Sequence, residues 1–302
     1  MRRGTYSIVA RDPDTGELGV AVQSHWFAVG SVVAWARPGV GAVATQSVAE
    51  VAHGPNTLDR MSDGLDAHAA METVLGADEL ACYRQLGVID AAGGVTAHTG
   101  ADCIPHAGHV VGEAFACQAN MMASTGVPQA MAQAYRTHEG DLVERLLAAL
   151  DAAEGAGGDV RGRQSAALLV VPSEGEPWRT RFDVRVEDHH DPLGELRRLV
   201  RFARAYEMAG QADELAAAGK HADATRLYLA AAELAPEVDE LTFWAGLGAA
   251  AQDLDAGVAL VRQAIARVPR WQVLLTRLSP ELAPTAQAVR EALAHDDAAA
   301  TS

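Results

Sequence analysis

The order of strand-like and helix-like segments constrains this chain more than any other feature. Thr5–Arg11 alternates and is rich in β-branched and aromatic residues. Asp12-Pro13-Asp14-Thr15-Gly16 is a turn, and residues 18–23 return as a second strand. Residues 31–36 and 41–45 predict a third and a fourth strand around Pro38-Gly39. A helical stretch follows: a short helix over 56–61, then one over 66–75 with Asp66 as N-cap and Ala69, Ala70, Thr73 and Val74 on one face. Strands resume over 85–90, Val95–Thr99 and 109–118, helices over 121–137 and 141–153, and strands over Ser165–Val171 and 179–186. Strands in blocks and helices in pairs argue against a doubly wound βαβ sheet. They predict an α+β fold, a four-layer αββα sandwich of two stacked antiparallel sheets, over residues 1–192.

From 193 to 302 the composition turns to Ala, Leu, Glu and Arg with no strand signal. Gly219 marks a turn between two helices, Ala224, Tyr228 and Ala231 take packing positions, and Pro236 terminates the pair. Trp244, Ala264 and Pro269 stand in comparable places one repeat later. The period of about 34 residues resembles a tetratricopeptide repeat, and a generic helical appendage is the alternative. Residues 296–302 read as a frayed end.

Charge and composition narrow the function classes. The net charge of -16 argues against nucleic-acid or anionic-membrane binding over a broad face, and neither partner is expected. The three cysteines, Cys82, Cys103 and Cys117, make no disulfide framework. No apolar stretch before Asp12 forms a secretory signal, and no run of about 18 apolar residues forms a membrane span. A cytoplasmic protein is the expectation. The only lysine is Lys220, so no lysine in the predicted sandwich can act as a base.

Several segments of the first 200 residues carry a resemblance. TYSIVARDPDTGELGVAV opens it and FAVGSVVAWARPGVGAVATQS follows. GADCIPHAGH, GRQSAALLVV and VEDHHDPLGELRRL complete it. Together they resemble DUF1028, a bacterial family of unassigned function placed among the N-terminal-nucleophile (Ntn) hydrolases. The resemblance implies an Ntn hydrolase-like αββα fold for residues 1–192 and leaves the helical tail outside. It implies a Thr, Ser or Cys whose own α-amine takes the hydroxyl or thiol proton. Thr5 occupies the start of the first strand, where that family commonly places its threonine. Here Thr5 stands behind Met-Arg-Arg-Gly, so a free amine requires cleavage at Gly4–Thr5. The alternative is an ordinary strand residue in a chain that is never processed.

The remaining candidates follow from that frame. Arg37, after the third strand, is the candidate cation in place of the lysine common in proteasome-type sites, or a surface turn residue. His25, beside Ser24 at the end of the second strand, could relay protons or pack against Trp26 and Phe27. Gln46 could orient substrate. Asn120 is the candidate oxyanion donor, or a helix cap. Asp159, Arg161, Arg163 and Ser165 suggest recognition of an acidic substrate group, or an Arg–Asp network. Asp102, Cys103, His106 and His109 lack the spacing of a zinc site, and the adjacent His189 and His190 point to opposite faces of an extended segment. Neither metal nor cofactor is expected. The function expected is an amidohydrolase of a small amide or short peptide, forming homo-oligomers. The alternative is a non-catalytic scaffold whose helical tail docks a partner protein.

Overall fold

The structure, a computed structural model, describes residues 4–300, with side chains up to residue 296. It divides into two units, Met1–Arg198 and Leu199–Ser302. The N-terminal unit runs β1 (Thr5–Arg11), β2 (Leu18–Ser24), α1 (Gly30–Val33), β3 (Ala34–Arg37), β4 (Gly41–Ser47), α2 (His53–Ser62) and α3 (Ala67–Gly76). It continues β5 (Arg84–Asp90), β6 (Val95–Thr99), β7 (Gly108–Gly112), β8 (Phe115–Asn120), α4 (Val127–Thr137), α5 (Leu142–Gly155), β9 (Ser165–Val171) and β10 (Phe182–Val186). Helix α6 (Pro192–Ala217) begins in this unit.

Two antiparallel sheets form the centre. The six-stranded sheet has the order β10-β9-β2-β1-β8-β7 and the four-stranded sheet β3-β4-β5-β6. The sheets face each other through β1, β2 and β8 on one side and β4 and β5 on the other. Helices α4 and α5 cover the outer face of the larger sheet, and α2 and α3 that of the smaller. This is the four-layer αββα arrangement. Strand alternation builds it, because successive side chains point to opposite faces. Tyr6 and Ile8 turn to one face of β1, while Thr5, Ser7 and Val9 turn to the other. Val9, Val20, Val22, Ala42, Ala44, Ile89 and Ala116 form the apolar part of the inter-sheet layer. Leu58, Met71, Val74, Leu86 and Val88 seal the smaller sheet against its helices. Each fully buried valine, leucine or isoleucine among them contributes about 1.5–3 kcal/mol.

Several elements differ from the sequence expectation. Residues 31–36 are not one strand: α1 precedes β3. Val29 and Val33, four apart, are both buried, so one helical turn sends both into the inter-sheet core. Residues 109–118 form a hairpin, turning at Ala114 with φ 55°. Helix α4 starts at Val127, with Pro128 in its first turn, because Met121 takes φ 60° and breaks the backbone after β8. Asp66 caps α3 as expected, accepting from Ala69 N. The buried face of α3 is Ala67, Ala70, Met71, Val74 and Leu75, whereas Thr73 is exposed.

Polar pins join the outer layer. The Asp78 carboxylate accepts from Arg84 Nε at 2.7 Å and meets His53 Nε2 at 2.7 Å, while Arg84 Nη1 donates to Val48 O. The Arg84 guanidinium holds the Asp78 carboxyl well below the usual carboxylate range.

The C-terminal unit is all helical: the rest of α6, then α7 (His221–Leu234), α8 (Asp239–Ala249), α9 (Leu254–Arg267), α10 (Arg270–Arg277) and α11 (Ala286–Ala300). Gly219, with φ 75°, makes the turn between α6 and α7. Phe243 stacks on Trp271 at 4.8 Å within a core that includes Leu247, Val261 and Val289. Of the segment 296–302 expected to fray, 296–300 lie within α11, and 301–302 are outside the described residues.

Two outcomes follow from this packing. A methyl group added at Gly87 would sit 2.4 Å from Gln118 Oε1, so Gly87→Ala should destabilise the chain by about 1–3 kcal/mol, read as a lower urea midpoint. Because the Asp78 carboxyl is held low in the folded state, its stabilisation is present above about pH 4 and is lost as pH falls below that. The urea midpoint of Asp78→Asn should therefore lie below that of the parent at pH 7, with the gap narrowing at pH 3.

Candidate functional site

The inter-sheet layer changes character along β1. Beyond Val9 it is apolar, and toward the start of the strand it becomes a cluster of buried amides and hydroxyls. Thr5, Ser7, Gln46, Gln85, Gln118 and Asn120 are each at most 1% exposed. Antiparallel pairing sets Thr5 opposite Asn120 and Ser7 opposite Gln118, so all four share one face. Gln85 is the hub. Its Oε1 accepts from Gln46 Nε2 at 2.7 Å and Asn120 Nδ2 at 3.0 Å. Its Nε2 donates to Ala119 O at 2.9 Å, Thr99 Oγ1 at 2.9 Å and Gly108 O at 3.2 Å. Ser7 Oγ donates to Gln46 Oε1 at 2.6 Å and accepts from Gln118 Nε2 at 2.7 Å. The Thr5 carbonyl accepts from Gln46 Nε2 at 3.3 Å and Asn120 Nδ2 at 3.4 Å.

The Thr5 side chain is held from the β2 side of the same face. Its Oγ1 donates to Ser24 Oγ at 3.1 Å, and Ser24 Oγ donates to Gly4 O at 2.5 Å. Arg161 Nη2 donates to the same Gly4 oxygen at 3.0 Å. The carbonyl joined to the Thr5 nitrogen is thus held by a hydroxyl and a guanidinium. Arg161 is itself fixed by Asp159, whose side chain is fully buried. The Asp159 carboxylate accepts from Arg161 N, Nε and Nη2 at 2.9, 3.1 and 2.7 Å, and from His25 N at 3.2 Å. The turn of residues 159–162 makes this local, with Gly162 N donating to Asp159 O at 2.9 Å and Gly162 at φ 101°. A buried carboxylate is tolerated here because it is both ion-paired and hydrogen-bonded.

The structure therefore brings together Thr5, Ser24, Gln46, Asn120, Asp159, Arg161 and the backbone of His25. The His25 ring Nδ1 is buried with no partner among the described residues. Ser165, opposite Ser24 in the register, accepts from Val29 N at 3.1 Å and donates to Trp26 O, so it holds the corner after β2. Arg163 lies against Asp191 at 3.1 Å and Glu154 at 3.7 Å. Arg37 is not brought to the site. It pairs with Asp59 at 2.8 Å and sits opposite Gly41, at the far end of β4 from Gln46. Five residues of extended strand separate Gly41 from Gln46, about 17 Å. Asn120 is not a helix cap: it ends β8, and Gly126 is the N-cap of α4.

The cysteines are poor nucleophiles by environment. Burial pushes the Cys103 and Cys117 thiols up, and a hydrogen bond to the Asp102 carboxylate raises Cys82. His109 Nδ1 meets Thr99 Oγ1 at 2.8 Å, burial lowers its pKa, and His106 Nδ1 meets Met122 O at 3.1 Å. The rings of His189 and His190 lie 4.3 Å apart, tilted by 37°, rather than pointing apart. Among the described residues no group of three His, Cys, Asp or Glu side chains is arranged for a metal ion. No helix there is long and apolar enough to cross a membrane. An open depression of about 810 Å³ beside α2 and α3, lined by Glu50, His53, Asn56 and Asp78 among others, shares no residue with the Thr5 site.

Sequence reasoning named Gly4 only as the cleavage junction and missed Ser7, Gln85 and Gln118. The signal was present: each of the last three is a polar residue at an inward-facing position of a buried strand. Replacing the hub by Gln85→Leu strips the shared acceptor from Gln46 and Asn120 and the donor from Ala119 O. That should cost about 3 kcal/mol, measured by urea unfolding.

Comparison with known proteins bears on this site. A model of DUF1028, a family of unknown function, matches residues 5–196. The crystal structure of protein SPO2555 from Silicibacter pomeroyi, described with the same family model, is 33% identical with a TM-score of 0.60, over 65% of this chain and 84% of that one. Anbu (ancestral beta-subunit) from Yersinia bercovieri is 10% identical with a TM-score of 0.33, over 64% of this chain and 91% of that one. That score is too low to carry an argument. No curated protein matches.

Proposed function

This chain belongs to the DUF1028 family, and we propose that it is an Ntn-type hydrolase that cleaves an amide bond in a small molecule or short peptide, with Thr5 as nucleophile. The observation that carries the reading is the setting of Thr5. It begins a central strand, is 1% exposed, and donates its hydroxyl to Ser24 beside a carbonyl already held by two donors. Release of the residues before Thr5 frees its α-amine. The neutral amine then takes the hydroxyl proton, Oγ1 attacks the substrate carbonyl, the proton passes to the departing amine as the C–N bond breaks, and water hydrolyses the resulting ester.

A positive charge near the amine favours its neutral form. Arg161, rather than Arg37, is the guanidinium beside the Thr5 nitrogen in this reading, bonded to the carbonyl next to it and offset in charge by Asp159. Gln46 and Asn120 hold the Thr5 carbonyl and keep the strand start in place. Arg161 and Arg163 are both paired with carboxylates, so neither supplies an unengaged cation for an acidic substrate group.

Intact mass with N-terminal sequencing tests the reading. The purified chain should begin at Thr5, and Thr5→Ala should retain the preceding residues and lose amidase activity. The rate of the released enzyme should rise with pH as the amine loses its proton, around pH 8 or below. A chain beginning at Met1 or Arg2 leaves Thr5 without a free amine and overturns the mechanism.

A further inference from the structure

The contacts around Gly4 go beyond the choice of nucleophile and specify what the site accepts. We infer that Ser24 and Arg161 are the oxyanion donors of this centre, and that Asp159 restricts the acyl unit joined to Thr5 to glycyl. The inference rests on the hydrolase reading above.

In this reading Gly4 stands where the acyl unit of a substrate would stand. Gly4 is buried, and its carbonyl is the acyl group of the Gly4–Thr5 amide. Two donors of different kinds converge on its oxygen: the Ser24 hydroxyl at 2.5 Å and Arg161 Nη2 at 3.0 Å. Both distances suit stabilisation of an oxyanion, and the guanidinium adds a permanent charge. Thr5 Oγ1 donates to the same Ser24 oxygen. When Thr5 Oγ1 bonds to the Gly4 carbonyl carbon, the hydroxyl gives up its proton and the Thr5 nitrogen takes one up. The C–N bond breaks, leaving a Gly4 ester on Oγ1 and a free α-amine. One water then hydrolyses the ester to a Gly4 carboxylate and the Thr5 hydroxyl. In the released enzyme a substrate's acyl carbonyl takes the place of Gly4 O, and its amine leaves.

The restriction comes from Asp159. A Cβ on residue 4 would lie 2.6 Å from Asp159 Oδ2 and 2.9 Å from its Cγ. A flexible side chain would swing aside. This carboxylate cannot, because Arg161 and His25 N hold both its oxygens in four hydrogen bonds. An acyl unit with a side chain on its α-carbon displaces the residue that aims Arg161. Asp159 is thus a positioning residue.

Self-cleavage followed by intact mass, at matched melting temperatures, reads the donors. Arg161→Met and Ser24→Ala should each slow cleavage about 100-fold or more. Millimolar methylguanidine should restore part of the rate to Arg161→Met, which a merely structural role would not allow. Gly4→Ala should cleave slowly, and the wild-type enzyme should hydrolyse a glycyl anilide at least tenfold faster than the alanyl one. A wild-type chain that never begins at Thr5 fails the hydrolase reading and this inference with it. A wild-type chain that begins at Thr5 while both donor variants cleave at its rate overturns the oxyanion assignment alone. Equal turnover of the two anilides, or turnover of neither, overturns the glycyl restriction.

Discussion

Burying amides between two sheets sets a demand for partners that organises the N-terminal unit, and it is met at the amide nitrogens while Gln118 Oε1 and Asn120 Oδ1 have no partner among the described residues. An unpaired donor or acceptor in such a layer costs about 1–3 kcal/mol. Gln85 meets the demand for three strands at once, binding Gln46 from β4, Asn120 and Ala119 O from β8, and Thr99 from β6. A slip of one residue in any of these strands would turn its amide to the opposite face and strand the others. The apolar half of the layer supplies most of the burial, while the polar half sets the register. The polar half is also where Thr5 begins its strand, so the element that fixes the sheets is the floor of the candidate site.

A second constraint acts on the opposite side of Thr5. Asp159 and Arg161 are two residues apart, and the turn that contains them folds the guanidinium back over its own carboxylate. A backbone donor from His25 ties that turn to the end of β2. Loop and strand end therefore move as one body, and the Gly4 carbonyl lies under them. Thr5 is set between a rigid amide floor and a charged clasp, with Ser24 joining its hydroxyl to the clasp.

Much of this was legible in the sequence. The block order of strands and helices gave the four layers, because alternation and helical spacing are properties of local runs. Ser24, Gln46, Asn120, Asp159 and Arg161 stand at strand ends or next to them, and antiparallel pairing collects them around Thr5. What was hidden depends on non-local geometry. Ala114 and Met121 take positive φ without being glycine, so neither the β7–β8 turn nor the break before α4 carries a sequence mark. The α1 turn is a β-branched run whose spacing of four matters only once the inter-sheet core exists to receive Val29 and Val33. Arg37 was drawn to the site by its place after a strand. The direction of β4 puts that end far from Gln46. Gln85 and Gln118 passed unremarked because a glutamine in a strand looks like an outward residue until its phase is counted.

The distribution of basic side chains has a practical side. Lys220, the sole lysine, stands exposed at the N-terminal end of α7 in the helical unit. The sandwich is built with arginine alone. Reagents that acylate amines have no side chain to attack between residues 4 and 198. Covalent tagging, surface immobilisation and amine-directed cross-linking will all report on the helical unit. An amide-linked acyl label recovered from the sandwich would have to sit on a main-chain amine.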